Sequence, residues 1–128
     1  MQTNFGFTKS EWIPPHELPD IFDAKVIAFD LETYDPQLKT RGPGWPTKNG
    51  HIIGVAVAVD GWKGYYPIRH ENGFNWDARR VLTWMKKLMQ TDAIKVAHNA
   101  NYDLGWLYAE GIEGKGPIVD TMIMAPII

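Results

Sequence analysis

Apolar residues occur in short runs along the chain, and the spacing within these runs predicts a mixed α/β domain. Strands are predicted at residues 26–34, 51–60, 62–68 and 94–97, with a fifth strand ending at Val119. Helices are predicted at residues 75–90, about 100–110 and 121–125. This order predicts a mixed five-stranded sheet flanked by helices. A right-handed crossover through the first helix would place the fourth strand parallel to the first.

Turn and cap residues set the predicted boundaries. Asp60 and Gly61 form a hairpin signal between the second and third strands. Asn75 and Asn99 are placed to cap the first two helices, and Gly111 to end the second.

Two segments carry no clear periodicity. Residues 1–24 form a lead-in arm with Trp12 and Phe22 as candidate anchors, and residues 25–128 form the domain. Residues 35–49 form a long loop rich in Pro and Gly, a type that is usually functional or disordered. Trp45 in this loop would either stack on an unpaired base or pack the loop against its own domain.

Composition narrows the class of protein. A chain of 128 residues fits one domain, and it contains no apolar run long enough to span a membrane and no secretory signal. The lack of cysteine removes disulfides and thiolate metal sites and agrees with a cytoplasmic location. With a net charge of −2, any binding of nucleic acid has to depend on local basic residues and bound cations.

Three carboxylates are the candidate chemistry. Asp30 and Glu32 end the first strand, and because they are two residues apart they face the same way, about 6.6 Å from each other along the chain. At that distance two negative charges repel by roughly 2.5 kcal/mol at an effective dielectric near 20, which a cation would relieve. Asp103 follows the fourth strand in the first turn of a helix. Hard oxygen ligands of this kind select Mg²⁺ or Mn²⁺.

Each neighbouring polar residue also has a purely structural interpretation. Asp103 would interact favourably with the helix dipole, and Asn99 would cap the helix. We expect His98 to be a hydrogen-bonded residue outside the metal shell. The remaining histidines lack metal-ligand spacing, so zinc is not expected; they are His16, His51 and His70.

Two short motifs resemble a known family. Asp30-x-Glu32-Thr33 and His98-Asn99-x-x-Tyr102-Asp103 are similar to the first two motifs of the DnaQ-like 3′–5′ exonucleases, whose fold is ribonuclease H-like. The segment from Gly64 to His70, the following helix, and Asp120-Thr121-Met122 resemble the proofreading exonuclease domain of family A DNA polymerases, particularly phage ones. The resemblance covers about residues 25–128.

The resemblance implies two-metal hydrolysis at the 3′ end of single-stranded DNA, releasing a nucleoside 5′-monophosphate. Asp30 would bridge two Mg²⁺ or Mn²⁺ ions, Glu32 would hold the ion that activates water, and Asp103 would hold the second ion. The residues implied to bind the nucleic acid are Leu31, Thr33, Asn99 and Tyr102, with capping of the helix as the other role for Asn99. A phage-encoded enzyme would act in the host cytoplasm.

One motif of the family is not found in the sequence. The third motif, which supplies a Tyr or His and a further Asp, would follow Asp120-Thr121-Met122, and Asp120 matches a different family position. We therefore expect an N-terminal piece of an exonuclease–polymerase, with a missing segment or a partner chain completing the site. The apolar run from Met122 to Ile128 agrees with that expectation. The alternatives are an RNA exonuclease like RNase D and a non-catalytic interaction module of the same fold.

Overall fold

The structure, a computed structural model, describes residues 13–124. The strands are β1 Val26–Tyr34, β2 His51–Val59, β3 Trp62–Pro67, β4 Ile94–Ala97 and β5 Ile118–Asp120. The helices are α1 Leu38–Arg41, α2 Ala78–Met89, α3 Ala100–Ala109 and α4 Thr121–Met124, with a 3-10 turn at Trp45–Thr47. One sheet contains all five strands in the order β3-β2-β1-β4-β5. β1 is antiparallel to β2 and parallel to β4, so the predicted mixed α/β sheet and the direction of its fourth strand are confirmed.

The two faces of this sheet are covered to different extents. Alternate residues of β1, among them Ile27 and Phe29, are buried and form a core with β2 and α2. The α2 residues buried in this core are Val81, Leu82, Trp84, Met85, Leu88 and Met89. On the opposite face, Val26 and its partner Ile94 on β4 are 45% and 38% exposed. Asp30 lies on this second face, because it alternates with the buried positions.

Helix α2 begins three residues later than the sequence predicted. Its N-cap is Asp77, whose carboxylate accepts a hydrogen bond from the backbone N–H of Arg79 at 2.9 Å. Asn75 was the predicted cap, but its amide instead closes a local loop with His70. The His70 N–H donates to Asn75 Oδ1 at 2.8 Å, and Asn75 Nδ2 donates to the His70 carbonyl at 2.9 Å. Because the Asn75 amide is bonded to the backbone of His70, it does not cap α2.

The predicted loop at residues 35–49 contains two short helical turns, α1 and the 3-10 turn at Trp45–Thr47. The Trp45 indole packs on α3 at Gly105, where an added Cβ would lie 2.3 Å from the indole nitrogen. The ring also meets Tyr108 edge to face at 6.2 Å. Of the two roles predicted for Trp45, the structure shows packing against its own domain.

The described part of the lead-in arm is attached to the covered face of the sheet. Three aromatic side chains donate hydrogen bonds to its backbone carbonyls: Tyr66 to Glu17 at 2.6 Å, Trp76 to Pro15 at 3.1 Å and Trp84 to Pro19 at 2.9 Å. Phe22 packs on the core beneath the ammonium of Lys87, as the anchoring prediction requires, whereas Trp12 lies outside the described residues.

The remaining boundaries differ from prediction by small amounts. β2 and β3 each end one residue early, and Gly111 follows α3 with a φ of 81°. Near the end of α3, Tyr108 is 60% exposed. Within residues 13–124, none of the helices has the length and apolar character needed to cross a bilayer.

Candidate metal and nucleic-acid site

Asp30 and Glu32 lie at adjacent same-face positions near the end of β1. Asp30 pairs with Ala56 and Glu32 with Gly54 on β2, and the pairing register shifts immediately after Glu32. Such a β-bulge re-aims the side chains around it. Asp30 is exposed, whereas Glu32 is 8% exposed.

Asp103 brings a third carboxylate to this position from the first turn of α3. Its side chain is buried, and its pKa is raised to about 7, first by burial and next by the charge of Asp30. The backbone N–H of Leu31 opposes that shift, and the charge of Asp120 adds to it. Because the charge of Asp30 acts on Asp103, these two side chains lie near each other, one from the end of β1 and the other from the first turn of α3.

Asp30 also interacts with the other carboxylate of β1. Its pKa is raised by burial first; the backbone N–H of Leu31 lowers it, the charge of Glu32 raises it, and His98 lowers it. Asp30 thus feels the charge of both Glu32 and Asp103. The role of Asp30 as a bridging metal ligand stays a prediction.

The donor set suits a cation that prefers oxygen. Oδ2 of Asp103 is buried and has no hydrogen-bond partner among residues 13–124, although buried polar atoms are normally satisfied. In the same residues, however, no group of three or more His, Asp or Glu side chains converges closely enough to hold a metal ion. The predicted three-carboxylate cluster of Asp30, Glu32 and Asp103 is therefore not assembled, and binding of Mg²⁺ or Mn²⁺ stays a prediction.

Glu32 is bonded to Tyr65, and Tyr65 to His70, two residues that the sequence did not single out for the site. The Tyr65 hydroxyl donates to Glu32 Oε2 at 2.9 Å and lies 2.6 Å from Nε2 of His70. The carboxylate of Glu32 is thereby directed toward β3 and the loop after it. The alternation along β3 could have placed Tyr65 on the face of Asp30, but only the structure shows that its ring crosses β2.

Two of the predicted nucleic-acid ligands bond to each other. The hydroxyls of Thr33 and Tyr102 are 2.8 Å apart, and Tyr102 also donates to Oδ2 of Asp35 at 2.8 Å. Asp35, which the sequence analysis did not identify, also accepts from the Gly44 N–H at 3.3 Å. This network fastens the loop after β1 to α3. The Leu31 side chain is 8% exposed, and contact of these residues with a nucleotide stays a prediction.

Asn99 does not cap α3 with its side chain. Its backbone is left-handed, with φ 64° and ψ 59°, and no side-chain cap is formed. Asp120 takes this part instead, because its carboxylate accepts from the N–H groups of Asn99 and Ala100 at 3.0 and 2.9 Å. Burial acts to raise the pKa of Asp120, but these two hydrogen bonds and a third from the Met122 N–H lower it. A carboxylate from the next strand is a long-range cap that local sequence does not reveal.

His98 lies beside this cap. Its Nδ1 is 3.1 Å from the Thr121 hydroxyl, in agreement with the prediction of a hydrogen-bonded histidine.

A concave region of about 360 Å³ adjoins the N-terminus of α3. It is lined by Leu38, Pro43, Trp45, Asn99, Asn101 and Tyr102.

The chain is similar to a DNA-directed DNA polymerase of Pseudomonas phage M6. The two are 40% identical over 116 residues, an alignment that covers 85% of this chain and 17% of the polymerase. This chain is thus homologous to a small part of that phage polymerase. No protein-family model matches the sequence.

A solved structure with a partial likeness is the family B DNA polymerase of the archaeon Pyrobaculum calidifontis. The TM-score is 0.42 with 20% sequence identity, over 70% of this chain and 11% of that chain. A likeness of this size does not establish a shared fold, and the fold described here rests on the strand order and register.

Proposed function

We propose that this chain is the 3′–5′ exonuclease part of a DNA polymerase and removes nucleotides from the 3′ end of single-stranded DNA. The observation that carries the proposal is the buried carboxylate of Asp103, whose pKa is raised to about 7 by burial and by the charge of Asp30. A fold that holds two acids in mutual repulsion fits a site for a divalent cation. The similarity to a phage DNA polymerase supports DNA as the substrate class.

The proposed metal ligands are Asp30, Glu32 and Asp103, and the cations are two Mg²⁺ or Mn²⁺ ions. Bound there, the cations would supply a water of lowered pKa and neutralise charge at the scissile phosphate. Asp30 is exposed and can meet the phosphate directly, whereas Asp103 holds its carboxylate away from bulk water. Glu32 would approach the same point from the side of β3.

The nucleotide is proposed to enter along the concave region beside the N-terminus of α3. Asn99, Tyr102 and Trp45 all line this region. The rings of Trp45 and Tyr102 are partly exposed and would suit stacking with unpaired bases. Leu31 and Thr33 follow Asp30 along β1 and would contact the terminal nucleotide.

The second candidate is a non-catalytic module that binds nucleic acid. The observation in its favour is that no three metal-binding side chains converge within residues 13–124. Activity separates the two functions, because a binding module would retain single-stranded DNA without trimming it. An RNA exonuclease is distinguished from a DNA exonuclease by comparing the rates at which DNA and RNA strands of the same sequence are trimmed.

The test uses the full product of the reading frame that encodes this chain and a 5′-labelled single-stranded oligonucleotide. We expect Mn²⁺-dependent shortening from the 3′ end that is abolished in Asp30→Asn and in Asp103→Asn. Asp60→Asn, which changes an exposed acid in the hairpin turn, is the matched control and should retain full activity. Unchanged trimming in Asp30→Asn would overturn the proposal, as would a wild-type protein that binds the oligonucleotide without shortening it.

A further inference from the structure

A tyrosine and a histidine form a chain of hydrogen bonds that ends on Glu32. The Tyr65 oxygen lies 2.9 Å from Glu32 Oε2 and 2.6 Å from His70 Nε2. The direct distance from His70 Nε2 to Glu32 Oε2 is 3.9 Å, too long for a hydrogen bond. Tyr65 therefore bridges the other two residues.

The backbone of β2 leaves space for this bridge at one glycine. Gly54 pairs with Glu32 on one side and with Pro67 on the other. A Cβ at Gly54 would lie 1.7 Å from the Tyr65 hydroxyl oxygen, so any other residue would displace the phenol. Space, rather than an unusual φ angle, explains the glycine at this position.

His70 is itself fixed in place. Its backbone N–H and carbonyl both bond to the amide of Asn75, at 2.8 and 2.9 Å. Its ring meets the Tyr65 ring edge to face, at a centroid distance of 5.8 Å. The loop before it is tied to β2, because the N–H groups of Ile68 and Arg69 both donate to the Ile53 carbonyl.

The direction of the bonds follows from the number of protons. A phenol has one proton, and an ionised carboxylate can only accept, so the Tyr65 proton points to Glu32. The Tyr65 oxygen must then accept from His70, which places a proton on Nε2 of the imidazole. Each donor in such a series strengthens the next one.

Resting on the proposed function, we propose that Tyr65 and His70 are positioning residues that orient the Glu32 carboxylate for a divalent cation. Outer partners that orient metal-binding side chains commonly change metal affinity 10- to 100-fold when they are removed. Neither residue touches the substrate in this proposal; both act through Glu32. The series is His70 to Tyr65 to Glu32, with Gly54 providing the space.

The test measures Mn²⁺ binding by the loss of the free-ion electron paramagnetic resonance signal in the 128-residue chain. Tyr65→Phe keeps the ring but removes the hydroxyl, and we expect Mn²⁺ affinity to fall about 10- to 100-fold. Tyr66→Phe is the matched control, because it removes a hydroxyl bond to the Glu17 carbonyl on the opposite face of the same strand. We expect its Mn²⁺ affinity to stay within about twofold of wild type.

Variants of His70 test the series from its outer end. His70→Ala leaves the sheet untouched and should weaken Mn²⁺ binding about tenfold, whereas His70→Gln keeps an N–H donor and should restore most of it. A role in folding alone would not produce this rescue. Thermal melts without metal identify any variant that fails to fold. If Tyr65→Phe fails to fold, the Mn²⁺ affinity of His70→Ala tests the positioning role in its place.

The outcomes separate this inference from the proposed function. If Asp30→Asn abolishes Mn²⁺ binding but Tyr65→Phe and His70→Ala bind as wild type does, only the positioning role is wrong. Tighter binding in Tyr65→Phe would overturn it too, since Tyr65 would then hold Glu32 away from the metal. If neither this chain nor the full product of its reading frame binds Mn²⁺, both proposals are overturned.

Discussion

The two faces of the sheet use burial in opposite ways. On the covered face, α2 and residues 13–24 surround a core of apolar and aromatic side chains, and polar atoms such as the Trp84 indole nitrogen have partners. On the other face, Val26 and Ile94 are partly exposed, while the acidic side chain of Asp103 is buried at the strand ends. Burial therefore stabilises the first region and raises the energy of the second.

The difference separates the part of the molecule that stabilises the fold from the part that is proposed to bind a cation. A buried carboxylate without a counter-charge costs free energy unless it becomes protonated or meets a cation. On the covered face the buried polar groups reach backbone carbonyls, and these include the ammonium of Lys95, which donates to the carbonyls of Thr91 and Lys115 although burial lowers its pKa. Substitutions on the two faces should accordingly have effects of different size and sign.

The largest expected effect is loss of core volume on the covered face. Leu88 is fully buried, and Leu88→Ala should lower the free energy of unfolding by about 2–5 kcal/mol. Val26→Ala on the other face is the matched truncation and should cost less than about 1 kcal/mol, since that side chain is 45% exposed. Urea denaturation followed by tryptophan fluorescence measures both. Equal losses would show that the second face is as well packed as the first.

The next effect has the opposite sign and depends on pH. Because the folded state raises the pKa of Asp103 from 3.8 to about 7, the folded chain binds the proton more tightly than the unfolded chain does. The stability of the folded state that depends on protonated Asp103 is fully present below pH 4 and is lost as pH rises to about 7. In EDTA, Asp103→Asn should therefore match wild type at pH 4 and exceed it at pH 8 by roughly 2–4 kcal/mol.

Asp60→Asn controls for the general change in charge, because Asp60 is exposed in a turn. Its difference from wild type should stay within about 0.5 kcal/mol at both pH values. A stability difference between Asp103→Asn and wild type that does not change with pH would show that the Asp103 carboxylate is not strained. The contrast between the two faces would then fail at its main point.

The strands were predictable from sequence because their apolar runs are long and punctuated by turn residues. Helix boundaries were less so, since Asn75 and Asp77 are both good caps and only the partner of Asn75 at His70 decides between them. The same limit applies at α3, where the cap is Asp120 from another strand rather than Asn99. Local propensity cannot identify an interaction made across the fold.

At the candidate site, the sequence indicated which acids share a sheet edge but not how each is held. Asp30 and Asp103 lie close enough to interact, as their positions at strand and helix ends predicted. The attachment of Glu32 to Tyr65 depends on a ring crossing Gly54, and that of Tyr102 to Asp35 depends on the path of a loop. These contacts require coordinates, because each joins residues more than 30 positions apart.

A smaller effect tests the attachment of residues 13–24. Trp84→Phe removes the indole N–H that donates to the Pro19 carbonyl at 2.9 Å and should cost about 1–2 kcal/mol. It should also speed proteolytic cleavage within residues 13–24, while Trp45→Phe, which changes a side chain packed on α3, should leave the cleavage rate unchanged. Unaltered cleavage in Trp84→Phe would mean that this bond does not hold the segment.

The smallest effect concerns Tyr102, which lies between the loop and the proposed path of the nucleotide. Tyr102→Phe removes the hydroxyl shared with Thr33 and Asp35 and should cost about 1 kcal/mol of stability. It keeps the ring, so the affinity for single-stranded DNA, measured by fluorescence anisotropy in EDTA, should change less than about twofold, whereas Tyr102→Ala should weaken it about tenfold if a base stacks there. Equal affinity in the Ala and Phe variants would restrict Tyr102 to fastening the loop. Because the hydroxyl and the ring are tested separately, the result assigns Tyr102 to the folding part of the molecule, to the binding part, or to both.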